Sequence, residues 1–326
     1  MAITRRACLA FAATGVVGVR AIAAARGQAG WPERPLNLIV GFAPGSTTDV
    51  ATRIVAEPMG GELGQRVVVE NRPGAASRIA MEAVARAPKD GYTLFVATAA
   101  NVVSDSLNPG STTFSRDLEP ICLLGSVPNL LVVPTELGIE SVAELSARAK
   151  QNPDGITYGS PGIGTVPHMQ GELFGQLAQA KLVHVPYSGS PQAVTVLLGG
   201  RIKMMFAPAS SALEHVRAGK LRALAITAKD RAASAKDIPT AQEVGLSGFD
   251  TGIWYGLMGP AGIPGEVVAR VAKATAKAAA TAPVRSALAA QLIDVLEGGP
   301  DIFRALLASE ASKWDEVVAK AGLAKR

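Results

Sequence analysis

Short apolar segments alternate with amphipathic stretches of helix length along most of this 326-residue chain. The apolar segments have the length and the β-branched and aromatic content of strands. The predicted strands are 36–42, 67–71, 92–98, 156–160, 182–187, 203–207 and 221–227. Because a helical pattern separates these strands, the sequence predicts an α/β protein with mostly parallel sheets flanked by helices.

Two segments rich in proline and glycine interrupt this alternation, at 123–133 and 248–262. We interpret both as crossings between two α/β lobes, each with its own sheet. The prediction assigns residues 30–127 and 251–326 to the first lobe and residues 128–250 to the second. In open α/β sheets the ligand loops lie at the carboxyl ends of the strands. A cleft between the lobes is therefore the expected binding site.

Residues 1–29 have the features of an export signal. A basic start, MAITRR, precedes an apolar run over residues 7–19 and a small-residue stretch, AIAAA. This run is shorter than the ~20 residues of a membrane-spanning helix. We expect a bacterial periplasmic protein exported by the general secretory (Sec) route. The paired arginines Arg5 and Arg6 leave the twin-arginine route as the alternative.

The charge balance argues against nucleic acid as a partner. The chain has 32 Lys and Arg against 27 Asp and Glu, but four of the arginines precede Trp31 and leave 28 basic residues after it. No basic stripe with interleaved aromatics follows residue 30. Cys122 is the one cysteine after the leader, so no internal disulfide is expected.

The stretch YGSPGIGTVPHMQGELF, residues 158–174, joins a predicted strand to a predicted helix through a glycine-rich turn. Such a turn points backbone N–H groups and the positive end of a helix dipole at one spot, which favours an anion. The spacing from Gly159 to Gly164 matches a phosphate-binding P-loop, but Thr165 stands where that motif has lysine. A smaller anion such as a carboxylate is favoured over phosphate. The alternative is a plain turn that binds nothing.

Four further loops repeat this arrangement, at 41–49, 70–78, 97–102 and 187–193. Converging between two lobes, they would form a cleft lined by N–H groups and hydroxyls. Asp49, at the start of a predicted helix, is interpreted as a helix-cap carboxylate. Direct contact of Asp49 with a ligand is the alternative.

The sequence offers little for catalysis or metal binding. It has no G-x-S-x-G nucleophile elbow, and its three histidines lack zinc spacing with cysteine or carboxylate partners. No nucleophile is paired with a base, so no catalytic residue, metal or cofactor is expected. His184 is interpreted as a structural histidine. His168 is either a ligand contact or a packing residue, and Trp254 belongs either to the core and hinge or to the cleft wall.

Several strings, in order along the chain after its leader, carry a family resemblance. They include GFAPGSTTD, VVVENRPGA, YGSPGIGTVPHMQGELF, HVPYSGSPQA and WYGLMGPAGIP. The chain resembles the substrate-binding receptors of tripartite tricarboxylate transporters, the Bug family. The resemblance implies a two-lobed, type II periplasmic-binding fold that closes on a small organic carboxylate and presents it to membrane transporter subunits. It implies no cofactor, and we expect a monomer.

The family's recurring ligand loops fall on residues 43–49 and 159–168. With the other loops they give the predicted ligand-binding residues, among which Ser46 and Thr165 come first. The full set is Phe42, Gly45, Ser46, Thr47, Asp49, Ser77, Thr98, Ala99, Ser160, Gly162, Gly164, Thr165, His168, Tyr187, Ala207 and Trp254.

Three departures from the family pattern bear on the ligand. Ser46 replaces the second glycine of a Pro-Gly-Gly loop, and residues 74–78 read Gly-Ala-Ala-Ser-Arg where the family often has Gly-Ala-Gly-Gly-Asn. Arg78 is interpreted as a carboxylate clamp or as a solvated helix residue. Ala207 and Pro208 stand where the family often has Asp-Asn, so a partner for an ammonium group is missing. We therefore expect a carboxylate without an α-amine.

Two other functions stay open from the sequence. One is a periplasmic sensor subunit whose closed form signals to a sensor kinase, and the other is an exported α/β enzyme that acts on a carboxylate. Sensing and transport would use the same cleft. An enzyme would need the nucleophile–base pair that the sequence does not reveal.

Overall fold

The structure is a computed structural model, and it describes residues 30–107, 114–232, 235–249 and 252–320. The predicted leader and positions 250 and 251 of the second predicted crossing lie outside the described residues. Within those residues the chain forms ten strands and eleven α-helices around two sheets. None of the described helices is both long and apolar enough to cross a membrane.

Seven of the strands coincide closely with the predicted ones, and three more flank the crossings. The strands are β1 Leu36–Val40, β2 Val67–Asn71, β3 Thr93–Thr98, β4 Leu118–Val127, β5 Asn129–Pro134, β6 Ile156–Ser160, β7 Leu182–Pro186, β8 Met204–Pro208, β9 Leu221–Ile226 and β10 Ile253–Pro260. The helices are α1 Thr47–Leu63, α2 Arg78–Ala85, α3 Ala99–Leu107, α4 Phe114–Asp117, α5 Val142–Gln151, α6 Val166–Leu177, α7 Ser190–Leu198, α8 Ala209–Arg217, α9 Gly265–Ala280, α10 Ala282–Ala290 and α11 Pro300–Lys320.

The two sheets are built on the same plan. The first has the strand order β2-β1-β3-β10-β4, and the second has the order β7-β6-β8-β5-β9. Strand β1 pairs in parallel with β2 and β3, and β6 pairs in parallel with β7 and β8, but the fourth strand of each sheet pairs antiparallel with both neighbours. Four of the five strands in each sheet therefore share one direction, and the strand that follows a crossing runs the opposite way. Strands β4, β5 and β10 overlap with the predicted crossings, because their proline and glycine residues indicate breaks in the sequence pattern.

The first sheet is covered by helices on both faces, as its alternating buried side chains require. Leu38 and Val96 belong to one apolar cluster with α1 and α9. Ile39 and Phe95 belong to a second cluster with α2, α3 and α11. Burying a large apolar side chain contributes about 1.5–3 kcal/mol. These two cores therefore fix the sheet whose strand ends carry the candidate site.

The chain passes from the first sheet to the second through Pro128 alone, because β4 ends at Val127 and β5 begins at Asn129. The carbonyl of Pro128 accepts a hydrogen bond from Ala209 N–H (2.9 Å). The N–H of Asn129 donates to Thr227 Oγ1 (2.9 Å). These bonds tie the crossing to the ends of β8 and β9. The lobe boundaries drawn from the sequence stay a prediction.

Candidate functional site

Five helices begin at one cavity between the two sheets. The N-termini of α1 and α3 approach it from the first lobe, and those of α6, α7 and α8 approach it from the second. The lining residues are Phe42, Ser46, Thr47, Thr48, Thr98, Ala100, Pro161, Thr165, Val166, Pro167, Ser190, Pro208, Ile253 and Tyr255. The cavity measures about 30 Å³, room for about two water molecules. The lobes are therefore closed on each other.

The lining of the cavity combines hydroxyls with apolar groups and carries no fixed charge. No Lys, Arg, His, Asp or Glu occurs among the described residues that line it. Each helix N-terminus carries roughly half a positive charge and presents N–H groups without partners inside the helix. Among the described residues no side chain caps α6, α7 or α8. The arrangement suits an anion held by N–H groups and hydroxyls.

Asp49 holds the loop before α1 in place and does not line the cavity. Its Oδ1 accepts hydrogen bonds from Arg53 Nε and Asn71 Nδ2, and its Oδ2 accepts one from Gly45 N–H, each at 2.9 Å. Burial by itself would raise the pKa of Asp49, but these hydrogen bonds outweigh it and lower the pKa. The N–H of Asp49 donates to Ser46 Oγ (3.3 Å), which caps α1. Both carboxylate oxygens are thus engaged by protein donors.

Hydrogen bonds from two of its own hydroxyls hold the glycine-rich loop between β6 and α6 in place. Ser160 Oγ donates to the carbonyl of Gly162 (3.0 Å), and Thr165 Oγ1 donates to the same carbonyl (2.7 Å). Gly162 and Gly164 have φ angles of 136° and 83°, which favour glycine. Thr165 lines the cavity, whereas Ser160 is fully buried outside the lining.

Two histidines contact residues of this loop. The rings of His168 and His184 lie 4.1 Å apart, and His184 Nε2 lies 2.7 Å from Ser160 Oγ. His168 Nδ1 accepts a hydrogen bond from Gly164 N–H (3.2 Å). Burial lowers the pKa of His168 to about 4, and burial together with the charge of His168 lowers the pKa of His184 to about 4. Both imidazoles are therefore neutral at pH 7, and His168 can accept the bond that orients Gly164.

Ser160 and His184 form a serine–histidine pair that the sequence analysis did not find. Such a pair can act on a substrate only where the substrate reaches the hydroxyl. Here Ser160 is 0% exposed, lies outside the cavity lining and is also hydrogen-bonded to Gly162. In this closed conformation the pair supports the loop.

The loop over residues 74–78 has a left-handed backbone. Ala75, Ala76 and Ser77 have φ angles of 47°, 50° and 78°, a conformation that costs roughly 1–2 kcal/mol per non-glycine residue. Two of these positions, 76 and 77, are those where the related pattern has glycine. Ser77 is fully buried, and its Oγ has no partner among the described residues. The Ser77 side chain fits only because residue 41 is glycine: a Cβ on residue 41 would lie 1.9 Å from Ser77 Oγ.

The structure brings five of the predicted ligand residues together at the cavity, namely Phe42, Ser46, Thr47, Thr98 and Thr165. The other predicted residues lie outside its lining, namely Gly45, Asp49, Ser77, Ala99, Ser160, Gly162, Gly164, His168, Tyr187, Ala207 and Trp254. Arg78 is also outside the lining, and its Nε donates to Glu82 Oε1 (2.9 Å). Several lining residues that the prediction lacks are neighbours in the same helix starts, such as Thr48 and Val166.

Tyr255 is a lining residue that the sequence analysis missed, because it selected the neighbouring Trp254. Successive side chains of a strand point to opposite faces of its sheet. Trp254 packs edge-on against Phe303 and donates from Nε1 to Glu310 Oε2 (3.1 Å). Tyr255 lines the cavity, and its hydroxyl has no partner among the described residues.

Direct contacts join the two lobes around the cavity. Thr47 Oγ1 of α1 lies 2.6 Å from Ser210 Oγ and 3.3 Å from Ser211 Oγ of α8. Val166 and Met169 of α6 belong to the apolar cluster that includes α3 and α11. Opening of the lobes must therefore break both a hydroxyl contact and apolar packing.

Comparison with known proteins identifies the family. The model of the tripartite tricarboxylate transporter family receptors, TctC, matches residues 51–323. This chain belongs to the TctC family. The predicted resemblance to Bug-type receptors is thereby confirmed.

Solved structures agree with this TctC assignment. The chain is similar to the periplasmic binding protein BugD, with a TM-score of 0.86 and 32% identity over 91% of this chain and 100% of BugD. It is similar to MatC from Rhodopseudomonas palustris with bound malate, with a TM-score of 0.83 and 30% identity over 88% of this chain and 100% of MatC. It is also similar to R. palustris Rpa4515 with adipate, with a TM-score of 0.85 and 30% identity over 90% of this chain and 99% of Rpa4515.

These likenesses confirm the predicted two-lobed periplasmic-binding fold. The chain is a solute-binding receptor of a family of periplasmic binding proteins.

Proposed function

We propose that this TctC receptor captures a small organic carboxylate in the cavity between its lobes and presents it to a tripartite tricarboxylate-type transporter. The observation that carries the proposal is the meeting of five helix N-termini at an uncharged, hydroxyl-lined cavity. Their N–H groups and hydroxyls would replace the water around a carboxylate. MatC with malate and Rpa4515 with adipate support the same ligand class here.

The ligand that suits this cavity lining lacks an α-amine. At about 30 Å³ the closed cavity holds only water-sized groups, so the lobes would close less far around a bound acid. An ammonium group in a closed cleft needs a partner, because an unpaired buried charge is costly. The described lining contains no carboxylate, and Ala207 and Pro208 end β8 where the family pattern often has an acid. The nearby carboxylate of Asp49 is already engaged by three protein donors. Half of the lining residues are apolar, including Phe42 and Ile253, which suits a hydrocarbon body.

Binding would proceed by closure of a first lobe, residues 30–127 and 251–326, onto a second lobe, residues 128–250. The hinges would lie within the two predicted crossings, at residues 125–128 and 250–254. In the open form water solvates the helix N-termini, and on closure the ligand takes over their N–H groups. A ligand shifts this equilibrium only by as much as it binds the closed form more tightly. The closed form would be the one that the membrane subunits recognise.

The route to the periplasm would be export through the leader, residues 1–29, and the receptor would act as a monomer. A sensor kinase that reads the same closed form is the second candidate partner. Uptake assays separate the two roles. Deleting the receptor should abolish uptake of its carboxylate when the transporter is expressed from an independent promoter. Undiminished uptake would instead support sensing.

A thermal-shift screen of the purified protein tests carboxylate capture. Malate, adipate and other mono-, di- and tricarboxylates form the panel, with phosphate and sulfate as matched inorganic anions. A ligand at about 100 times its dissociation constant should stabilise the fold by ~2.7 kcal/mol. We expect a shift with a carboxylate and none with the inorganic anions. No carboxylate shift, in protein that mass spectrometry shows to be free of co-purified ligand, would overturn the proposal.

A further inference from the structure

Tyr255 places a buried, unpartnered hydroxyl at the cavity. The residue is 1% exposed, and its hydroxyl has no hydrogen-bond partner among the described residues. Tyr255 of β10 lies opposite Thr98 of β3 in antiparallel register, so both side chains point to the same face of the sheet. Both line the cavity. Buried polar groups in native proteins nearly always have a partner, and an orphaned hydroxyl destabilises the closed form.

Two other hydroxyls of the same lining already have hydrogen-bond partners. Thr47 Oγ1 bonds to Ser210 Oγ at 2.6 Å, and Thr98 Oγ1 accepts a hydrogen bond from Ala100 N–H at 3.3 Å. The hydroxyl of Thr47 lies near enough to lower the pKa of the Tyr255 phenol slightly against the effect of burial, but the two side chains do not meet hydrogen-bond geometry. Burial raises the pKa of Tyr255 well above its ordinary value. The phenol therefore keeps its proton and is a donor without an acceptor.

We propose that Tyr255 is a ligand-binding residue whose hydroxyl donates a hydrogen bond to an oxygen of the bound carboxylate. The inference rests on the proposed carboxylate capture. An oxygen at this position supplies the missing acceptor, whereas a methylene or methyl group there leaves the hydroxyl unpartnered. Sites built around such a donor discriminate strongly against analogues that lack the acceptor. Tyr255 thus selects ligands that place a carboxylate oxygen next to its hydroxyl over ligands that place a methylene or methyl group there.

The variant Tyr255→Phe tests this, because it keeps the ring and removes only the hydroxyl. Malate and adipate are titrated calorimetrically into the wild-type protein and the variant. We expect the affinity for whichever acid the wild type binds to fall by about 10-fold to 100-fold, the range for a hydrogen bond to a charged group. The melting temperature of the ligand-free variant should not fall below that of the wild type, since the hydroxyl bonds to no protein group among the described residues. A functional role therefore predicts weaker binding without a loss of stability.

Two other tyrosines supply matched controls. Tyr158 is buried and donates to Glu172 Oε1 at 2.5 Å, so Tyr158→Phe should lower the melting temperature of the ligand-free protein. The hydroxyl of Tyr92 accepts from Glu33 N–H at 2.9 Å outside the cavity lining. Tyr92→Phe should bind the acid within about two-fold of the wild type, a margin well below one hydrogen bond to a charge.

Two results would overturn the role of Tyr255 while leaving carboxylate capture intact. One is a Tyr255→Phe variant that binds the acid as tightly as the wild type. The other is a melting temperature for ligand-free Tyr255→Phe that falls as far as that of Tyr158→Phe, which would make the hydroxyl a structural bond. A wild-type protein that binds neither malate nor adipate, nor any acid of the thermal-shift panel, would overturn the proposed function and this inference together.

Discussion

Thr47 Oγ1 in the first lobe lies 2.6 Å from Ser210 Oγ in the second, so one hydrogen bond between hydroxyls spans the cleft. Thr47 also lines the cavity at the first turn of α1. The helix start that faces the ligand therefore also holds the opposite lobe. A contact that exists only in the closed form raises ligand affinity without touching the ligand.

Removing the two serines of α8 should weaken ligand binding while the cavity lining stays intact. Ser211 is included because its Oγ lies 3.3 Å from Thr47 Oγ1 and can replace Ser210. Loss of one hydrogen bond costs about 0.5–1.5 kcal/mol, which is roughly 2-fold to 10-fold in affinity. Calorimetric titration of Ser210→Ala/Ser211→Ala checks this, with the exposed Ser286→Ala as the matched control. Unchanged affinity in the double variant would contradict the role of this contact.

Mild acid should destabilise the protein through the buried His168 and the half-buried His184. The pKa of His168 and that of His184 are about 4 in the folded protein, because burial disfavours the charged rings. In the unfolded chain they are about 6.5. The unfolded state therefore binds more protons between these values, and stability present above pH 6.5 is lost as the pH falls towards 4. The loss reaches about 3 kcal/mol for His168 and less for the half-buried His184.

Denaturant unfolding at pH 7, 5.5 and 4.5 measures this loss. The variant His184→Gln should show a shallower decline, since it removes one of the two titrating groups. Constant stability from pH 7 to pH 4.5 in an Asp105→Asn background, which removes the opposing titration of Asp105, would show that the histidines are not buried as neutral rings. The same acid range should also loosen the ligand loop, because protonated His168 can no longer accept from Gly164 N–H.

The titration of Asp105 should partly offset the loss of stability that the histidines cause in acid. Burial raises the pKa of Asp105 to about 6, although Phe114 N–H donates to its Oδ2 at 2.8 Å. A raised folded pKa means that the native state holds the proton more tightly, so this group adds stability as the pH falls below 6. Asp105→Asn removes the titration and keeps an acceptor for Phe114. The variant should therefore lose stability more steeply than the wild type between pH 6 and 4, and equal slopes in parallel denaturant series would refute this.

The backbone of the Ala76 loop should tolerate glycine better than alanine. The left-handed φ of 50° at Ala76 costs roughly 1–2 kcal/mol, and glycine loses about 0.5–1 kcal/mol more backbone entropy on folding. Ala76→Gly should therefore stabilise the protein by up to about 1 kcal/mol in denaturant unfolding. Ala147→Gly, exposed in the interior of α5, should destabilise it by about 1 kcal/mol. Matching losses in both variants would disprove strain at Ala76.

The strands that precede a crossover helix could be predicted because their signals are local. An apolar run followed by a glycine or hydroxyl turn marks β2 and β6, whose bounds coincide with the prediction. Strand β10 lacks that signal. Gly256 resembles a turn glycine in the sequence, but a Cβ there would lie 2.4 Å from the ring of Phe303 in α11. The reason for this glycine is a contact between distant segments, so no sequence window contains it.

Local sequence likewise predicts some residues of the candidate site and not others. Ser46 and Thr165 could be proposed because each begins a helix directly after a turn, and both line the cavity. The choice between Trp254 and Tyr255 depends on which face of β10 meets the cleft. A register shift between Tyr255 and Gly256 marks this part of the strand. Such a shift changes which residues share a face, and local sequence does not encode it.

A pair of calorimetric titrations with malate and aspartate decides whether the cleft accepts an acid that carries an α-amine. These acids differ at one position, where malate has a hydroxyl and aspartate has an ammonium group; adipate and 2-aminoadipate form a second, longer pair. A buried charge without a partner costs about 3 kcal/mol or more, which corresponds to at least about 100-fold in affinity. We predict that the amine-free acid of a pair binds and that its amine-bearing analogue binds at least that much more weakly. Equal or tighter binding of the amino acid would contradict a receptor whose cavity holds a carboxylate without any partner for an amine.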